Sequence, residues 1–168
     1  MEVLWAPWRS KYVERAASGE SKCIFCEAAN SSDDLHYVVY RSRYCIAMLN
    51  LYPYNTAHTM VAPLRHVPSI ELLSDEELLD LFKTVRLVMK ALREEYKPHG
   101  FNVGINVGRV AGAGIESHVH VHVVPRWSGD TNFMPVIAGT KVLPEDLRTT
   151  WARVKKAIER VVSKELSR

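Results

Sequence analysis

His118, His120 and His122 alternate with Val119, Val121 and Val123, a spacing that concentrates imidazoles in one place. Strict alternation is the period of a β-strand, so the pattern predicts three rings on one face and three valines on the other. Like-facing side chains on a strand are roughly 6.6 Å apart, which makes a row along one wall. A neutral imidazole is a good nucleophile near pH 7 and, when charged, a proton donor. One ring could attack phosphorus and carry a nucleotidyl group, dividing a difficult displacement into two easier ones. Its second nitrogen must then be held by an acceptor such as a backbone carbonyl, and a neighbouring ring can hydrogen-bond the phosphoryl oxygens.

The same residue type also binds metal. Cys23-Ile24-Phe25-Cys26 is half of a Cys₂His₂ set, which two of His58, His66 and His118 would complete as a tetrahedral zinc site. The other use of such a motif, a redox pair, calls for a βαβ setting that the flanking sequence lacks. Cys45 lies in an apolar run and reads as a small buried hydrophobe.

The elements that must position these groups follow from periodicity. Residues 36–41 and 44–49 are β-rich and joined by Ser42-Arg43, which reads as a hairpin. Residues 50–57 are a Pro- and Asn-rich loop, and 58–63 a short strand. Ser74 and Glu77 form a capping box ahead of a helix whose apolar stripe is Leu78, Leu81, Phe82, Val85, Met89 and Leu92. Residues 101–108 alternate as a strand. The small-residue turn Ala111-Gly112-Ala113-Gly114 follows, and its backbone could approach an anion or simply close a tight hairpin. Residues 127–135 read as a loop. Pro144 opens a last helix with Glu145 and Asp146 in its first turn, a buried stripe of Leu147, Trp151, Val154, Ile158 and Val161, and a solvated basic side.

With 168 residues and 47% hydrophobic content, the chain suits one domain over 1–168. Residues 1–22, with Trp5, Trp8 and Tyr12, read as a packed N-terminal segment; residues 127–168 read as a C-terminal loop and helix. A net charge of +3 with no dense basic block permits an anionic small ligand and gives no reason to expect a nucleic acid polymer. No run is long enough for a membrane span, and no secretion signal opens the chain. Three cysteines without a disulfide framework fit a cytoplasmic protein.

His118-Val-His120-Val-His122-Val-Val resembles the signature of the histidine triad (HIT) superfamily of nucleotidyl hydrolases and transferases. Asn50 with His58 eight residues later, and Asn106-x-Gly108, fall where similar proteins have them. Leu4-Trp5-Ala6-Pro7, the Cys23–Cys26 motif, Ala111 to Ile115 and Gly129 to Ile137 are similar to the branch of fragile-histidine-type hydrolases and diadenosine tetraphosphate phosphorylases. The resemblance implies an α+β fold with about five antiparallel strands, a long helix and a C-terminal helix, assembled as a homodimer. It implies a nucleotidyl enzyme that cleaves dinucleoside polyphosphates such as diadenosine tetraphosphate, with water or inorganic phosphate as acceptor. The other reading is a nucleotide-binding module with incidental turnover.

Carried over residue by residue, the resemblance makes His120 the nucleophile on the α-phosphorus, His122 the phosphate contact and His58 the support behind them. Asn50 falls at the ribose and Asn106 and Gly108 at positions that similar proteins share, while Gly112 and Gly114, read from the turn itself, are the candidates to approach a phosphate. Cys23, Cys26, His66 and His118 correspond to the ligands of a structural zinc; no organic cofactor is expected. Many relatives carry Gln and Ser or Thr where this chain has Gly114 and Ile115. The backbone or another donor must therefore replace a missing hydroxyl.

Overall fold

The structure is a computed structural model that describes residues 23–138 and 141–167. A short helix α1 (Ile24–Ala29) precedes strands β1 (Val38–Arg41), β2 (Cys45–Leu49) and β3 (Thr59–Pro63). The long helix α2 (Asp75–Tyr96) leads to β4 (Gly100–Ile105), then β5 (Val121–Arg126), a five-residue helix α3 (Met134–Ala138) and α4 (Leu147–Leu166). The sheet has five strands in the order β1-β2-β3-β5-β4, and every neighbouring pair is antiparallel. The α+β architecture expected from the sequence is therefore the observed one.

Both sheet faces are covered in the middle, which is why β2 and β3 are buried at every position. On one face Cys45, Ala47, Leu49, Val61, Val119, Val121 and Val123 pack under α2 and α4. On the other, Ile46, Met48, Met60, Ala62 and Val38 meet Phe25 and Ala28 of α1. Successive strand residues point to opposite faces, so the three triad histidines belong to the α1 side and the valines to the aliphatic core.

The capping box forms as expected: Ser74 Oγ accepts from Glu77 N–H, and Ser74 N–H donates to Glu77. Lys97 ends α2 in the left-handed region at φ 48°. Leu78, Leu81, Val85, Met89 and Leu92 of the expected apolar stripe pack on the core, and Phe82 does not. Leu81, Val85, Val88, Ala91 and Leu92 are buried, whereas Phe82 is 50% exposed at the margin of the stripe.

Three other expectations change. Asp146 is the N-cap of α4, accepting from Thr149 N–H, so the helix starts at Leu147 rather than at Pro144. A short polar residue there satisfies an amide that the helix itself leaves unpaired. Met134 and Pro135, expected at the end of a loop, instead open the short helix Met134–Ala138. The basic side of α4 is paired rather than merely solvated: Arg153 meets Glu95 and Glu145, Lys155 meets Asp33, Arg160 meets Glu95, and Lys164 meets Glu94. The expectations for Trp5, Trp8 and Tyr12 lie outside the described residues. Among the described residues no helix is long and apolar enough to cross a membrane.

Candidate functional site

The hydrogen-bonded strand begins at Val121, so His118 and His120 lie in the extended segment that feeds it and only His122 is inside the ladder. The cause is a change of partner: Val119 N–H donates to Val67 O on the segment leaving β3. Alternation survives, but the row is not a solvent-facing wall. His118 and His120 are 0% and 3% exposed.

Each ring is fixed by a hydrogen-bonding partner, and those partners decide its tautomer. His120 Nδ1 is 2.9 Å from His118 O. A carbonyl only accepts, so Nδ1 carries the hydrogen and Nε2 keeps a lone pair. Burial pushes the His120 pKa down, opposed by the bond to His118 O. The ring is therefore neutral at pH 7 with a nucleophilic Nε2.

His58 is the mirror case. Tyr54 N–H donates to His58 Nδ1 at 3.1 Å, which leaves the hydrogen on Nε2. That nitrogen lies 2.9 Å from His122 Nδ1. His58 thus donates, His122 Nδ1 accepts, and a neutral His122 bears its hydrogen on Nε2. Burial first, then the neighbouring His122 and His120, lower the His58 pKa to about 3. Tyr54 stacks on His58 with centroids 4.7 Å apart, and the His120 and His122 rings meet edge to face at 4.8 Å. A nucleophilic nitrogen and a donor N–H are brought side by side.

His118 faces the other way. Its Nε2 donates to Pro63 O at 2.8 Å, so Nδ1 keeps its lone pair 3.2 Å from Cys23 Sγ and 3.7 Å from Cys26 Sγ. His66 Nδ1 is 3.3 Å from Cys26 Sγ, and the four ligand atoms all lie within 4.8 Å of one another. A tetrahedron drawn from ordinary Zn–S and Zn–N bond lengths has edges of roughly 3.3–3.8 Å, so two sulfurs and two imidazole nitrogens fit a metal ion here. Burial, then the Cys23 thiol, raises the Cys26 pKa; a cation would relieve that crowding. Of the three histidines open on spacing alone, His58 is excluded from the cluster because its ring is engaged by His122.

The CxxC half is held by α1, a helix too short to be stable alone. Arg41 supports it, donating to Ala28 O, Ala29 O and Ser31 O at its C-terminal end. Phe25, between the cysteines and 0% exposed, packs at 5.0 Å on His118 and 4.9 Å on His120. Sequence reasoning passes over Phe25, although its place between two ligands is an available signal. It also misses the Tyr54 amide and Pro63 carbonyl, which leave no trace in residue identity.

The remaining sequence candidates lie in the loops after β2 and β4. Asn50 Oδ1 accepts from Tyr52 N–H, and Asn50 N–H donates to His58 O, which ties this residue to the His58 loop. Asn106 Nδ2 reaches Gly112 O at 3.4 Å. Gly108 and Gly112 have φ of 81° and 90°, the left-handed region that glycine enters without strain. The amides of Ala111, Gly112 and Ala113 donate to Gly108 O and Arg109 O inside the turn. Gly114 follows, and Ile115 packs against the α1-side cluster.

Comparison with known proteins agrees with this geometry. The HIT domain family matches residues 33–129, more than half of the chain. The chain is 41% identical over 167 residues to the AP-4-A phosphorylase of Mycobacterium tuberculosis, covering 91% of this chain and 86% of that protein. Among solved structures, a hypothetical histidine triad nucleotide-binding protein from Sulfolobus tokodaii superposes with a TM-score of 0.68 at 28% identity, covering 83% of this chain and 93% of that one. A Zn-bound histidine triad family protein from Mycobacterium smegmatis shares the fold with a TM-score of 0.69 at 23% identity, covering 85% and 97%. The histidine row, the five-stranded antiparallel sheet and the matched residues lead to one conclusion: this chain belongs to the HIT domain family.

Proposed function

We propose that the protein cleaves dinucleoside polyphosphates, such as diadenosine tetraphosphate, by nucleotidyl transfer through His120. The observation that carries this reading is the pair of opposed tautomers. His120 offers a lone pair on Nε2 because His118 O holds its Nδ1–H, and His122 offers a hydrogen on Nε2 because His58 fills its Nδ1. Nε2 of His120 attacks the α-phosphorus, a P–N bond forms, and the P–O bond to the departing nucleotide breaks. Positive charge that develops on the His120 ring is stabilised by the carbonyl at Nδ1–H. His122 Nε2–H donates to the phosphoryl oxygens, whose growing charge is the main thing such a site must stabilise. Water or inorganic phosphate then attacks the same phosphorus and releases His120. Asn50 would hold the ribose, and Asn106 with Gly108, Gly112 and Gly114 would border the phosphates.

Cys23, Cys26, His66 and His118 would hold a zinc ion. With four protein ligands it would leave no open position, so its chemistry would be structural. Cys23, Cys26 and Cys45, none of them in a disulfide, suit a reducing compartment, consistent with the cytoplasm. A homodimer is supported by the β4 edge. Among the described residues that strand pairs on one side only, with β5; its Val103 is 42% exposed and Phe82 of α2 is 50% exposed. An open strand edge with apolar neighbours is suited to a second copy.

The test is to mix the protein with diadenosine tetraphosphate, with and without inorganic phosphate, and to identify products by mass spectrometry. Nucleotide products would support the reading, and phosphate dependence would identify the acceptor. Bound but unchanged substrate would leave a binding module instead.

A further inference from the structure

Asp130 lies outside the histidine row, yet its carboxylate joins the two segments that carry His58 and His122. Its side chain is only 6% exposed. Oδ2 accepts from Arg126 Nε at 2.6 Å, from Asn55 Nδ2 at 2.7 Å and from Trp127 N–H at 3.1 Å, while Oδ1 accepts from Arg126 Nη2 at 3.0 Å. The Trp127–Asp130 turn that folds the carboxylate back has Gly129 at φ 77° and a closing bond from Asp130 N–H to Trp127 O.

The partners explain what this junction holds. Arg126 ends β5, the strand of His122, and its Nη1 donates to Asn102 Oδ1 on β4. Asn55, 5% exposed, also donates to Pro125 O on β5. Its own carbonyl accepts from His58 N–H, and the residue before it supplies the amide that sets the His58 tautomer. The 50–57 loop has no ladder of its own to fix it against β5. Thr59, next to His58, pairs with Val123 in the ladder, and the charge-assisted link at Asp130 is a second tie, on the loop side of the ring.

We propose that Asp130 is a positioning residue: with Asn55 it clasps the His58 loop to the end of β5 and thereby holds the hydrogen bond from His58 Nε2 to His122 Nδ1. The proposal rests on the nucleotidyl-transfer reading for its effect on rate, but not for its effect on the rings. Asp130→Ala and Asn55→Ala both cut the link, and the second leaves the Arg126 ion pair intact should the first fail to fold. In imidazole ¹H–¹⁵N spectra of the full chain, the His58 Nε2–H signal should broaden or vanish in each variant. With diadenosine tetraphosphate, kcat should fall by roughly 10- to 100-fold and KM should change little. Placed on His58→Ala, Asp130→Ala should cost nothing further, because the group it acts through is gone. An unaltered His58 signal in both variants, or rate losses that multiply in the double variant, would overturn the clasp. A wild-type protein that cleaves no dinucleoside polyphosphate would remove the nucleotidyl-transfer reading, and the spectra would still decide the clasp.

Discussion

The two ends of the histidine row use one residue type in opposite ways. At the His118 end, a ring buried completely points its lone pair at two sulfurs, and its N–H is taken by Pro63 O. At the His122 end, a half-buried ring has its lone pair filled by His58, so that a neutral ring carries its hydrogen on Nε2. His120, between them, donates its Nδ1 hydrogen to the backbone carbonyl of His118 itself. Role is therefore set by which backbone or side-chain group each ring meets, and only partly by its place in the sequence.

The largest expected effect comes from removing the ring that this comparison makes nucleophilic. His120→Asn should keep the fold, with melting close to wild type, and lower single-turnover cleavage of diadenosine tetraphosphate by roughly 10⁴- to 10⁶-fold, the scale seen when a nucleophile is lost. Substantial remaining turnover would end the assignment.

At the other end the expected loss is of stability. Metal analysis should find one zinc per chain, and Cys23→Ser or chelation should lower the melting temperature. A ligand present at about a thousand times its dissociation constant stabilises by about 4 kcal/mol. A metal-free preparation whose melting ignores chelation would reduce the two ends to one.

His58→Ala probes the contrast more gently, because it acts through His122. We expect a loss in kcat of roughly 10²-fold with metal content unchanged; an equal loss of zinc would mean that the two ends are not separable.

Acid gives a smaller and graded test. The His58 pKa is about 3 in the folded protein, against 6.5 for an unperturbed histidine. The unfolded chain therefore binds the extra proton first, so stability is present above about 6.5 and is lost as pH falls toward 3. The slope in that window is about 1.4 kcal/mol per pH unit for this group. Between pH 6.5 and 5, wild type should lose melting temperature more steeply than His58→Gln. Parallel curves would refute the buried neutral ring. From about pH 4.5 downward, carboxylates held low by cations, such as Glu77 at about 2 beside Arg65, add a loss of the same sign.

Phe82→Glu should have the smallest effect on the fold, within about 0.5 kcal/mol for an exposed position. It should shift the oligomer toward monomer by light scattering. An unchanged mass would move the homodimer contact away from this face.

Much of this is legible in the order of residues. The alternation of His118 to Val123 announces a segment with chemically different faces, since the period of two is a property of extended backbone. Ser74 and Glu77 mark the start of α2 because capping is local. Asp146 is misread for the converse reason: an acidic residue suits both a first turn and a cap, and only the position of the Thr149 amide distinguishes them. Phe82 is misplaced because three- and four-residue spacing defines a stripe but not how far it extends around the helix.

By itself, then, the sequence determined the inventory: which residues can ligate, attack or donate, and which strands and helices carry them. Only the tertiary structure decided how the inventory divides. Residues as distant as Cys23 and His118, or His58 and His122, meet through sheet pairing and loop packing. The tautomers of His58, His118 and His120 are imposed by a carbonyl or amide of a kind that nearly every residue type possesses. A backbone group has no letter of its own, so its choice of partner becomes readable only once the chain has folded.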